Sequence, residues 1–61
     1  MGPHLRALVG RTVLVWTSPG GSSVKDEGVF EEFDGIFVRI RSGEDTLYFP
    51  YTAIRLIKVV N

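Results

Sequence analysis

The stretch EGVFEEFDGIFVRI, residues 27–40, decides the fold. Apolar and polar residues alternate on both sides of Asp34-Gly35, and Asp-Gly between two alternating runs is among the strongest short hairpin signals. The pattern predicts one strand from Val24 to Asp34 and another from Ile36 to Ser42, with a tight reversal between them. Gly28 falls inside the first of these, where a glycine marks a bulge or a sharp bend. A bent strand that turns straight into the next can serve both halves of a curved sheet.

Working towards the amino end, RTVLVWTS (11–18) is rich in β-branched and aromatic residues and predicts a strand. PGGSS (19–23) is a flexible loop: it lacks the Lys-Ser/Thr ending and the following helix of a phosphate cradle. PHLRALVG (3–10) predicts a short helix over 3–9, with Pro3 in its first turn, Gly10 as its stop, and Leu5, Leu8 and Val9 on one face. Towards the carboxy end, SGED is a second turn and TLYF a short strand that Pro50 ends, because proline has no N–H for a ladder. YTA then makes a tight link to a last strand, IRLIKVV. Five strongly bent antiparallel strands within residues 11–60, after a short amino-terminal helix, are expected to close into a small all-β barrel. The whole chain, 1–61, reads as one domain.

A chain of 61 residues buries only about 60% of the surface its unfolded form exposes, and domains of this size usually need a disulfide, a metal or a partner chain. Cysteine is absent and His4 is the only histidine, so disulfides, thiolate zinc sites and multi-histidine sites are all excluded. Oligomerisation is the device that remains. The lack of cysteine points to a reducing, cytoplasmic setting. Seven basic and seven acidic residues cancel, which argues against a protein that binds nucleic acid by bulk charge. No apolar run approaches the roughly 20 residues of a membrane helix, and the amino end lacks the layout of a signal peptide. The opening Met-Gly-Pro-His is compatible with a cloning remnant.

Strict alternation should leave one face of each strand polar. Here Val13 and Val15 share one face while Leu14 and Trp16 occupy the other. Ile36, Val38 and Ile40 are expected inside, with Phe37, Arg39 and Arg41 outside. Ile54 and Leu56 fall on one face of the last strand, and Ile57 and Val59 on the opposite one. One small barrel cannot bury both sets, and an exposed apolar patch implies a partner. Leu14, Trp16, Phe37, Tyr48, Ile57 and Val59 are the candidate oligomer interface. The fourth and fifth strands are candidate open edges between subunits of a homo-oligomer, with a ring as one form.

At this point GVFEEFDGIFVRI resembles the first motif of the Sm-like (LSm) small barrels, with the nearest local likeness to the bacterial Hfq group. LYFPYTAIRLI resembles the short second motif of the same superfamily. LVGRTVLVWTSPGG, taken with the same central stretch, is also similar to the carboxy-terminal barrel of the ribosome-maturation factor RimP. Either likeness implies an Sm-like or SH3-like barrel. The Sm-like one also implies RNA binding by an oligomer. Yet Gly35 stands where the Hfq group has a polar glutamine after Phe-Asp, Ile36 where it has an aromatic, and Tyr51-Thr52 where it has Lys-His before Ala53-Ile54. The uridine site is therefore not carried over.

If RNA binds, Tyr51 would stack on bases while Arg39, Arg41 and Arg55 reach phosphates. The alternative is a protein-interaction or structural module without nucleic acid. Arg39 and Arg41, two apart on one strand face, suit either a phosphate track or pairing with the acidic strand before them. Glu31 and Glu32 should lie on opposite strand faces, which disfavours a shared cation. Asp34 suits backbone capping at its turn better than acid–base work. His4 has no nucleophile or paired acid beside it in the sequence, and no catalytic, metal or cofactor site is expected. Gly28, Asp34, Gly35 and Pro50 are read as bend and turn residues.

Overall fold

The computed structural model describes residues 4–60; Pro3, and most of the opening tetrapeptide, lie outside the described residues. Within them a short 3-10 turn, Leu5–Leu8, precedes five strands: β1 (Thr12–Thr17), β2 (Val24–Phe33), β3 (Phe37–Ser42), β4 (Asp45–Pro50) and β5 (Ile54–Val59). They form one antiparallel sheet in the order β4-β3-β2-β1-β5.

β2 is long because it does two jobs. Its first part, Val24 to Val29, pairs with β1, and its second, Val29 to Phe33, pairs with β3. Gly28 sits at this handover. A side chain there would run into the backbone carbonyl of Arg41 and come within 2.6 Å of Ile40 Cγ2. Glycine is thus required for close approach of β3, not for an unusual backbone angle.

The core is one layer on the inner face: Val13 and Val15 of β1, Phe30 and Phe33 of β2, Val38 and Ile40 of β3. Leu5, Leu8, Leu47, Phe49, Ile54 and Ile57 pack around it. Phe30 and Phe33 are three residues apart, a spacing that regular alternation would send to opposite faces. The ladder resolves this with one extra residue: Phe30 faces Ile40 and Glu32 faces Arg39, so Glu31 is bulged out between them. β5 repeats the device. Trp16 faces Leu56 and Thr17 faces Ile54, so Arg55 is the extra residue, and Ile54 and Ile57 both reach the core.

Several expectations are corrected. The barrel does not close: β4 and β5 are the two ends of the sheet, and neither has a second neighbour among the described residues. The helix over 3–9 is a single 3-10 turn, whose three-residue period aligns Leu5 with Leu8 and leaves Val9 exposed. The bulge of β2 is at Glu31, while Gly28 keeps regular pairing with Val13. Ile36 is 63% exposed, because it belongs to the turn and not to β3. Leu56 does not share a face with Ile54, since the bulge at Arg55 lies between them. Ile57 and Val59 pair with Val15 and Val13 on the core side.

Candidate functional site

The outer surface of the sheet divides at β2 into two patches of different chemistry. On the β4-β3-β2 half opposite charges pair with one another, although Arg39 Nε is buried without a hydrogen-bond partner. Arg41 Nε donates to Glu31 Oε2 at 2.6 Å, and Arg39 lies 3.2 Å from Glu31 and 3.1 Å from Glu32. The bulge turns both carboxylates to the arginine side, so the expectation that Glu31 and Glu32 lie on opposite faces is overturned. Tyr48 faces Arg39 across the next rung. Its hydroxyl is the largest influence raising the Arg39 pKa above its ordinary value; burial opposes it, and the charges of Glu32 and then Glu31 add to the rise.

Glu31 is held below the ordinary carboxylate value of 4.5, chiefly by its hydrogen bond from Arg41 and then by the charges of Arg41 and Arg39, against some desolvation. Asp34 is also lowered from 3.8, because its Oδ1 accepts the backbone N–H groups of Phe37 and Ile36, each at 2.8 Å. This side-chain turn, with Gly35 at φ 104°, builds the reversal between β2 and β3. Both acids have depressed folded pKa values. Their contribution is therefore complete above the ordinary values near 4.5 and 3.8, and is lost as pH falls through the lower folded ones. Urea titrations should show stability level near neutrality and falling below about pH 4.5. A Glu31→Gln, Asp34→Asn double variant should be less stable at pH 7 and show a shallower acid slope; an unchanged slope would remove these two groups from the account.

The β2-β1-β5 half is different. Cross-strand neighbours on its outer face form three rows: Lys25, Trp16 and Leu56; then Glu27, Leu14 and Lys58; then Val29, Thr12 and Val60. Leu14 and Trp16 are half-buried and Leu56 is 55% exposed. An open groove of about 380 Å³ runs along Trp16, Ser23, Arg55 and Leu56. A second, of about 320 Å³, lies between Leu5, Tyr51, Ile54 and Ile57 and shares Arg55 and Leu56 with the first. At this corner Tyr51 meets the Phe33 ring edge-on, centroids 5.7 Å apart, and the Arg6 guanidinium sits 5.6 Å from the same ring. The Arg6–Phe33–Tyr51 stack carries no periodic signal, and its members are distant in sequence.

The four residues considered for RNA do not form one surface. Arg39 and Arg41 share the outer face of β3 and are engaged by carboxylates, whereas Tyr51 and Arg55 line the second groove. Arg55 Nη1 reaches only the Ser18 hydroxyl, at 3.4 Å. Of the six candidate interface residues, Leu14 and Trp16 lie on the apolar half, Phe37 and Tyr48 on the charged half, and Ile57 and Val59 turn to the core side. Pro50 is the last residue of β4, and Tyr51 N–H, donating to Ile36 O at 2.8 Å, locks the turn that follows. No group of three or more metal-ligating side chains occurs among the described residues, and no helix there is long and apolar enough to cross a membrane.

No family model, curated protein or solved structure matches this chain.

Proposed function

We propose that the protein is a non-enzymatic, self-associating β module of the Sm-like kind, in which copies join edge to edge through β4 and β5. One observation carries the reading: the sheet ends in two strands that have no outer neighbour among the described residues. Edge strands offer unpaired N–H and C=O groups, and proteins that do not use them usually blunt them with charge, proline or a covering loop. Tyr48 on β4, and Leu56 and Val59 on β5, are exposed apolar residues of these edges, while Leu47, Phe49, Ile54 and Ile57 pack on the core. Tyr48 is 62% exposed. A domain this small also gains most from a partner.

The ion pairs of Arg39 and Arg41 with Glu31 and Glu32 favour a protein-interaction role over an RNA-binding one, since phosphates would have to compete with carboxylates already in place. RNA binding, if present, should weaken steeply with salt, whereas edge pairing should not.

Hydrogen exchange read alongside native mass tests the proposal. The assembled protein should protect amides of both β4 and β5, and dilution should release that protection together with the mass. A monomer at all working concentrations, or an assembly whose edge amides exchange freely, would overturn it.

A further inference from the structure

We infer that the outer face of β2, β1 and β5 is a second self-association surface, on which a second copy packs face to face about a two-fold axis running along β1. The inference rests on the reading that copies associate, but it concerns a face and not an edge.

The apolar centre is Leu14 and Trp16 on β1 with Leu56 beside them on β5. What selects the occupant is the charge on its two sides. β1 lies between β2 and β5, and Glu27 and Lys58 both face Leu14, so they flank it at one height on opposite sides. Neither makes an ion pair with any described residue, in contrast to the ion-paired cluster of Glu31, Glu32, Arg39 and Arg41. A face with an acid on one side and a base on the other is complementary to itself under one operation only. An in-plane axis along the strands exchanges the sides, setting each Glu27 over the partner's Lys58, twice per dimer. An in-plane axis across the strands would set Glu27 over Glu27 and Lys58 over Lys58. Charge therefore chooses the first axis, which is also an isologous, closed arrangement.

The remaining rows agree with this choice. The same axis lays Lys25 over the partner's Leu56, where a lysine stem covers apolar surface while its ammonium reaches water. It brings Leu14 and Trp16 against their own copies, as packed sheets about 10 Å apart require.

Charge exchange tests the arrangement. Glu27 and Lys58 have no ion pair with any described residue to lose, so Glu27→Lys and Lys58→Glu should leave the far-ultraviolet spectrum unchanged. Each single variant should weaken association on the order of tenfold and halve the native mass seen by light scattering at matched concentration. The Glu27→Lys, Lys58→Glu double variant, with the sides swapped, should restore the wild-type mass. A wild-type monomer would sink this inference and the edge reading together. An oligomeric wild type whose mass ignores both single changes would overturn the face alone, as would a double variant that fails to recover.

Discussion

Gly28→Val should abolish cooperative folding. The added side chain would meet the Arg41 carbonyl, which is backbone held in the β3 ladder, and Ile40 Cγ2 at 2.6 Å, a side chain fully buried in the core. Neither can move without separating β3 from β2 where their pairing begins at Val29 and Arg41. Overpacking typically costs about 1–3 kcal/mol and occasionally more, and a clash with ladder backbone belongs at the upper end. At roughly 0.05–0.15 kcal/mol per residue, a chain of 61 residues has a total stability of only about 3–9 kcal/mol. Gly28→Ala should fall short of full unfolding but lower the urea midpoint clearly. A Gly28→Val protein with a sharp thermal transition near that of the wild type would show that β3 does not lie where the close approach puts it.

Phe30→Ala should be the most damaging truncation in the core. Phe30 is fully buried, faces Ile40 across the ladder, and its backbone N–H and C=O are bonded to Arg11 O and Gly10 N–H. It thus joins β2, β3 and the segment leading into β1. Truncating a buried phenylalanine costs about 3–5 kcal/mol, since transfer free energy is lost and a cavity is left. In so small a core few neighbours can collapse into that cavity. Chemical denaturation would measure this loss. The cost should exceed that of Ile40→Val, about 0.5–1.5 kcal/mol, by a factor of three or so. A loss below about 1 kcal/mol would mean that Phe30 is not central.

Gly28 and Phe30 both lie in the strand whose pattern is plainest in the sequence. All five strands were legible, because β-branched and aromatic runs are separated by unambiguous breakers: PGGSS, Asp34-Gly35, Ser42-Gly43 and Pro50. Which residues face inward was legible only where alternation is unbroken, as in Val13 and Val15 or Val38 and Ile40. It failed after each bulge. Ile54 and Ile57 reach the core together, and strict period-2 reasoning put them on opposite faces. The signal was present in the spacing: Phe30 and Phe33, like Ile54 and Ile57, are large apolar residues three apart within a strand. A single extra residue is the simplest backbone that buries both. Ile36 was misplaced for a different reason. Asp34 captures the N–H groups of Ile36 and Phe37, extending the turn by one residue and ejecting the isoleucine.

The open sheet is the largest departure from the barrel that the strand pattern implies. Strand count and curvature suggest it, but whether β4 meets β5 depends on the direction the one-turn link Tyr51–Ala53 imposes, and no residue pattern encodes that direction. The surfaces were legible in part. The surplus of apolar residues was correct in kind, since Tyr48, Leu56 and Phe37 are exposed. The charge network was missed because it depends on the Glu31 bulge.

The pairing of β1 with β5 makes the first strand of the sheet a neighbour of the last, with Val60 N–H donating to Thr12 O at 2.9 Å. Every other strand pairing among the described residues joins strands consecutive in the chain, so this is the strand pairing that must bridge the longest stretch of sequence. The topology is thus almost cyclic. With a linker joining the strand ends, the two-residue Gly43-Glu44 turn could become the new chain opening without changing any strand neighbour.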